Sequence, residues 1–286
     1  MNYRHGYHAG NFADVLKHVV LTALLERLAD KPKPFGVLDV HAGRGSYDLR
    51  GAEAQRTGEQ VSGIARLWPA RAGAPPLTRR YLDLVREANA DCSDDDAPPR
   101  AYPGSPWLIS RLLREGDSLQ ACELEPGEHA ALAAAFRRQR GVAVHRRDAW
   151  EALGALLPLR EKRGLVLIDP PYEPPAAEQD RVIAGLREVR RRFANGVVAL
   201  WYPIKDAAGS RSFLRRLAAL DLGEALVAEL CVWPDDTRLR MNGSGMLIVN
   251  PPWQIERALE PELAWLWRHL ANDGLGRHAV RRLASR

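Results

Sequence analysis

Residues 164–174 read GLVLIDPPYEP. Leu165 to Ile168 form a short, unbroken apolar run, the pattern of a strand buried on both faces, as in a parallel sheet. The run ends in an acid, two prolines and an aromatic ring. Proline fixes its own φ and pushes its predecessor towards extended backbone, so the turn after the strand is pre-shaped. Asp169, the carbonyl of Pro170 and the ring of Tyr172 then offer two acceptors and a π-face. That set matches a planar amine: adenine N6, cytosine N4 or a glutamine amide. A Pro-Pro turn with no chemical role is the plain alternative.

Outward from this stretch, strands and helices alternate. NFADVLKHVVLTALLERLADK, 11–31, reads as an amphipathic helix capped by Asn11, with Phe12, Val15, Leu16, Val19, Ala23 and Leu24 on one stripe. Pro32 and Pro34 stop it. Phe35–Val40 reads as a buried strand and HAGRGSY as a glycine-bearing turn. Further strands are expected over 118–126, 141–150, 196–203, 224–233 and 245–250, with helices at 105–115, 128–140, 151–157, 179–193 and 209–220. Seven strands alternating in this way predict an α/β fold with a mostly parallel sheet covered on both faces. The last two strands lack a helix between them and predict an antiparallel hairpin at one edge.

Residues 51–101 break the rhythm. Two helical stretches, near 55–68 and 77–90, joined by ARAGAPP and closed by the solvated run DCSDDDAPPR, read as an inserted helical subdomain. The main domain is therefore expected to comprise 1–50 and 102–286, with an N-terminal helical segment at 1–31.

In open α/β sheets ligands sit beyond the carboxyl ends of the strands. The first strand presents His41, Gly43 and Gly45 there. HAGRG lets a ligand approach the backbone, but it is not a full GxGxxG, and no GxxxxGK[ST] occurs, which argues against an NTP-hydrolysing loop. The second strand ends in Glu123, where a carboxylate can accept both hydroxyls of a ribose. It lies well beyond the usual spacing of about 20 residues from the glycines, and the insertion accounts for most of the excess. The third strand ends in Asp148, able to accept the amine of an adenine while the amide of Ala149 donates to a ring nitrogen; helix capping is compatible with that role. The fourth ends in Asp169.

The 286 residues are 46% hydrophobic, enough for a sizeable core. A net charge of +5 suits an anionic partner without proving one. No apolar run approaches a membrane span, and the charged N-terminus does not read as a signal peptide. Cys92, Cys122 and Cys231 show no metal or redox spacing, which is compatible with a reduced, cytoplasmic protein. His5-x-x-His8 lacks companion ligands, so no metal is expected. NPPW at 250–253 also follows an apolar strand, but its place after the hairpin argues against catalysis and leaves it as a strand end, possible lining of a base pocket. Trp201 and Tyr202 read as packing.

Glycine turn, Glu123, Asp148 and DPPY, in that order, resemble S-adenosylmethionine-dependent amino-methyltransferases. More narrowly, YRHGYHAGNFADVLKH, DVHAGRG, RTGE, YPGSP, LIDPPYE, ALWYP and NPPW are similar to the bacterial 23S ribosomal RNA adenine-N6 methyltransferase family, over nearly the whole chain. The resemblance implies a Rossmann-like class I methyltransferase fold, S-adenosyl-L-methionine as cofactor with S-adenosyl-L-homocysteine as product, and 23S rRNA as partner of a cytoplasmic monomer. It implies that His18, His41, Ser105, Glu123, Asp148, Ala149 and Asp169 line the cofactor pocket, with Asp169 catalytic. Tyr3, His5 and Lys17 would act on the RNA side, and Tyr172 would stack on the base. Some members carry Gly where this chain has Ala149, a position where only a backbone contact is expected. The motif alone does not separate an RNA enzyme from a DNA adenine or glutamine-amide methyltransferase, or from a silent nucleic-acid-binding relative.

Overall fold

The computed structural model describes residues 4–92, 94, 96–173, 175–234, 237 and 241–283. Helix α1 (Phe12–Ala29) leads into strand β1 (Gly36–Asp39) and a short strand β2 (Ser46–Asp48). Helices α2 (Ala52–Thr57), α3 (Ile64–Leu67) and α4 (Pro76–Glu87) follow, and the chain returns through β3 (Ala101–Pro103). The main sequence of elements then runs α5 (Ser105–Leu112), β4 (Ser118–Cys122), α6 (Pro126–Phe136), β5 (Val142–His145), α7 (Ala149–Leu156) and β6 (Gly164–Ile168). It continues with α8 (Pro175–Arg192), β7 (Val197–Ile204), α9 (Ala207–Ala218), β8 (Ala225–Cys231), β9 (Gly243–Val249), α10 (Ile255–Leu270) and β10 (Arg277–Arg282).

The main sheet has the order β10-β8-β9-β7-β6-β1-β4-β5. The five strands from β7 to β5 pair in parallel. Their side chains alternate between two cores: Leu165 and Leu167 of β6 pack with α1, α5 and α10, while Val166 and Ile168 pack with α7, α8 and α9. Strand β9 runs antiparallel to both β7 and β8. The expected hairpin therefore exists, but β9 wedges inside the sheet. An eighth strand, β10, covers β8 in antiparallel register from Arg277↔Cys231 to Arg282↔Leu226. Half of its sequence, RHAVRR, is arginine, as suits an edge strand, and this conceals it from hydrophobic patterning. Helix α10 was likewise not expected. Pro261 sits inside it, yet Ile255, Leu259, Leu263, Leu266 and Leu270 keep one buried stripe.

Helix α1 is not amphipathic. It is buried on every side from Phe12 to Leu25, Asp14, Lys17 and His18 included, because α4, α5, α10 and β9 all pack on it. Asn11 caps it as expected, its side-chain oxygen accepting from the amides of Ala13 and Asp14 at 2.9 Å.

The helical stretch expected at 55–68 is broken at Gly58 and Gly63. Gly58 adopts φ 65°. A Cβ at Gly63 would lie 2.1 Å from the carbonyl oxygen of Gly10, whose partner is the amide of Ile64 at 2.8 Å. Only glycine permits that approach. Strands β2 and β3 pair with each other and clasp the two ends of the 51–101 segment. Across the molecule, Glu262 of α10 accepts from the amides of Leu77 and Thr78 at 3.1 and 2.8 Å, and from the Thr78 hydroxyl at 2.6 Å. It thereby satisfies donors at the first turn of α4, whose own N-cap, Pro75, has no side-chain bond to give. No helix among the described residues is long and apolar enough to cross a membrane.

Candidate active site

The carboxyl ends of β1, β4, β5 and β6 open on a cavity of about 410 Å³, a size typical of small-molecule sites. Its lining includes His5, Lys17, His18, His41, Ser105, Glu123, Asp148, Ala149 and Asp169, nine positions that the sequence singles out. Tyr3 lies outside the described residues. Tyr172 does not line the cavity. Its ring is 4% exposed, its hydroxyl donates to the carbonyl of Trp201 at 3.0 Å, and Trp201 and Phe213 meet it edge-on. The expected stacking platform is thus a core residue here, and Pro171 is the DPPY ring that faces the cavity with Asp169. NPPW does not reach the cavity either, because β9 is antiparallel and ends beside the amino end of β7, away from the carboxyl ends of the parallel strands.

Asp169 follows β6. Its side chain is 15% exposed, and one oxygen meets the ammonium of Lys17 at 2.5 Å. Lys17 also reaches Asp14, one helical turn earlier, at 2.8 Å, and Asp14 in turn accepts from His5 at 2.9 Å and from the amide of Gly10 at 3.0 Å. Burial works against the charge on Lys17, but Asp14 and Asp169 outweigh it and hold the ammonium well above the usual lysine range. Burial also opposes ionisation of Asp14, yet His5 and Lys17 draw its carboxyl well below the ordinary value. Lys17 thus stands between the two carboxylates, Asp14 on α1 and Asp169 at the end of β6. His5 and His8 are held by carboxylates, Asp14 and Glu59, rather than gathered with other ligands.

On the floor, the amide of Asp169 donates to Nδ1 of His41 at 3.3 Å. Burial lowers the His41 pKa to about 4, so the ring is neutral at pH 7. Below it lies Asp39, fully buried, accepting from the Ser105 hydroxyl at 2.7 Å and from the His41 amide at 3.3 Å. Burial raises the Asp39 carboxyl to about 7. His18 bonds Tyr102 through Nδ1 at 3.0 Å, while its buried Nε2 has no partner among the described residues. Burial holds this imidazole neutral too.

The far wall is built from β4 and β5. Glu123 accepts from the amides of Gly43 at 2.9 Å and Glu125 at 2.8 Å, which ties the glycine turn to the end of β4. Gly43, at φ 61°, would place a Cβ 2.2 Å from the Tyr47 hydroxyl, so the turn requires glycine there. Asp148 caps α7, one oxygen accepting from Trp150 and Glu151 at 2.9 and 3.2 Å, and leaves its other oxygen for the cavity.

Sequence reasoning missed four residues. Asp14 stands three positions before Lys17, the spacing that places both on one helix face. Asp39 is an acid inside the first strand run, overlooked because only residues past the strand were weighed. Trp150 and Glu178 also line the cavity. Trp150 follows Asp148-Ala149 directly, whereas nothing local marks Glu178.

Residues 32–283 match the family model described as "Ribosomal RNA large subunit methyltransferase D, RlmJ". The chain is 41% identical over 280 residues to "Ribosomal RNA large subunit methyltransferase J" of Escherichia coli K12, covering 98% of each chain. The protein of the same name from Haemophilus influenzae is 38% identical, with 98% of each chain covered. A crystal structure of a Legionella pneumophila protein superposes with a TM-score of 0.84 at 32% identity, over 96% of this chain and 97% of that one.

Proposed function

Because the chain belongs to the ribosomal RNA large subunit methyltransferase J family, we propose that it methylates N6 of a single adenine in 23S rRNA with S-adenosyl-L-methionine, releasing S-adenosyl-L-homocysteine. One observation carries this reading: Asp169 lines the cavity on the pre-shaped DPPY turn, with its charge balanced by a buried lysine.

The residues present fit the cofactor. Nε2 of neutral His18, without a partner among the described residues, and the Ser105 hydroxyl would supply polar contacts to it. Glu123 uses one acceptor direction on each oxygen for backbone amides and keeps capacity for a ribose diol. Asp148 and the first amide of α7, that of Ala149, would hold the cofactor's adenine. When bound, the sulfonium supplies an electrophilic methyl group.

The protein's own part is to bind, orient and balance charge. Adenine N6 is a weak nucleophile because its lone pair is delocalised into the ring. Accepting its two N–H groups at Asp169 and the Pro170 carbonyl raises the electron density on nitrogen. Positive charge then develops on N6, and the carboxylate of Asp169 is placed to stabilise it. The same oxygen takes the proton as the new C–N bond forms. Lys17 occupies that carboxylate at rest and retains Asp14 as a partner when the amine arrives, so no buried ammonium is stranded. The base has to be unstacked to enter, which is easiest in a loop or single strand. Lys17, His5 and Tyr3 serve the RNA side, and we read the 51–101 helices as an RNA-facing insertion on a monomeric enzyme.

The test compares ribosomal RNA from a strain lacking this gene with its parent, by nuclease digestion and mass spectrometry. One N6-methyladenine should vanish from 23S rRNA and return with the wild-type gene but not with Asp169→Ala. Unchanged ribosomal RNA with reduced adenine methylation in DNA would replace this reading with a DNA enzyme.

A further inference from the structure

Glu178 is a cavity acid with no role in the chemistry above. It lies in the first turn of α8, 6% exposed, and lines the cavity with Asp148, Ala149, Trp150 and Arg181. A carboxylate has about four acceptor directions. Among the described residues, the Trp150 indole is a donor-bearing neighbour that favours its charged form. A buried carboxylate with acceptor capacity left over, facing a ligand-sized cavity, calls for a donor from the ligand.

Its surroundings narrow the choice of donor. Burial is the main cause holding the Glu178 carboxyl above its ordinary value; Arg181 and Trp150 pull it down and Asp148 pushes it up. Asp148, the other acid at this end, already gives one oxygen to two amides of α7. Trp150 is fixed in place. It meets His41 edge-on at 5.7 Å and 71°, and it is seated over Gly185 of α8, where a Cβ would come within 2.6 Å of its ring. A flat wall, a backbone donor at Ala149 and an acceptor pair therefore surround one end of the cavity.

We propose that Glu178 is a specificity-determining acceptor for the exocyclic amine of the cofactor's adenine, with Trp150 as the positioning residue that holds its carboxylate in the cavity. This assignment rests on the reading of the cavity as the S-adenosylmethionine site. A ligand with oxygen in place of that amine would present a carbonyl to the Glu178 carboxylate in place of an N–H donor. Sites built to bond an N–H reject analogues that lack it far more strongly than hydrophobic pockets reject a change of size.

The experiment is calorimetry of the purified protein with S-adenosylhomocysteine and with its inosine counterpart, which carries the 6-oxo group. The wild type should prefer the amine by tenfold or more. Glu178→Ala should bring the ratio below threefold, and Glu178→Gln, the same size and able to donate as well as accept, should do the same. Trp150→Phe keeps a ring but loses the indole N–H, and should lower the ratio at least threefold while still binding S-adenosylhomocysteine. A ratio is insensitive to general loosening of the fold, and the near-isosteric Gln variant decides the matter if the Ala variant does not fold. A wild-type preference that persists unchanged in both Glu178 variants overturns the assignment and leaves the cofactor reading intact; an unchanged ratio in Trp150→Phe overturns the positioning role. Failure of the wild type to bind S-adenosylhomocysteine at all overturns the cofactor reading, and this assignment with it.

Discussion

LIDPPYE at 167–173 and LIVNPPW at 247–253 look alike on paper, and the molecule uses them in opposite ways. Both follow fully buried strands. Strand β6 is parallel to its neighbours and delivers Asp169 to the cavity; β9 is antiparallel and delivers Asn250 to the opposite end of the strands, beside the start of β7. There the Asn250 amide donates to the carbonyls of Ala194 and Gly196 at 2.7 and 2.8 Å, and its backbone takes φ 52°, a left-handed conformation that Asn tolerates. The aromatic residues are reversed as well: Tyr172 is 4% exposed and Trp253 is 85% exposed. What a motif means here is set by the direction of the strand that carries it, not by the motif.

Substitutions can break or sharpen this contrast. The largest effect belongs to Asp169→Ala, which should lower single-turnover methylation at least a hundredfold, the scale of lost transition-state stabilisation, with a melting temperature close to wild type. Activity within threefold of wild type would remove DPPY from the chemistry. Next, Glu123→Ala should weaken S-adenosylhomocysteine about tenfold or more, since hydrogen bonds to charged groups are worth about 1.5–3 kcal/mol; calorimetry on the folded variant reads it directly. Asn250→Ala loses two hydrogen bonds that close the end of β7. It should cost about 1–3 kcal/mol of stability and lower the melting temperature by several degrees, while the rate per folded molecule stays within twofold. A hundredfold loss of rate there would erase the distinction between the two motifs.

Asp39, beneath the DPPY turn, gives a smaller and pH-dependent effect. Its folded pKa of about 7 is above its ordinary 3.8, so the stability tied to its protonated form is complete below about 4 and is lost as pH rises to 7. Asp39→Asn cannot ionise and keeps an oxygen for Ser105. Its melting temperature relative to wild type should therefore climb between pH 4 and 7 and level off above; a difference constant with pH would mean that Asp39 ionises normally in the fold. Trp253→Ala should be the mildest change, with neither melting temperature nor rate measurably altered.

Much of this was legible in the sequence because it is carried by local runs. The parallel strands announce themselves as apolar stretches, and reading the residue after each one collects Glu123, Asp148 and Asp169, which the fold brings to one cavity. What stayed hidden depends on partners distant in sequence. Strand β10 is visible only as a partner of β8. The broken helix at Gly63 follows from its contact with Gly10. The burial of Tyr172 is decided by Trp201 and Phe213, and the exposure of Glu178 to the cavity by how α8 lies against α7. The amphipathic reading of α1 failed for the same reason: its polar side chains are buried, since they answer one another and Asp169 instead of solvent.

The reach of Glu262 across to α4 bears on the order in which the chain can mature. Leu77 and Glu262 are 185 positions apart. During synthesis from the N-terminus, α4 emerges early with the donors of its first turn open to water, and the carboxylate that accepts from them is made near the end. Helix α10 must dock before the first turn of α4 gains its acceptor. A chain truncated ahead of α10 would hold every strand-end acid of the cavity, yet leave those helices without their final clasp.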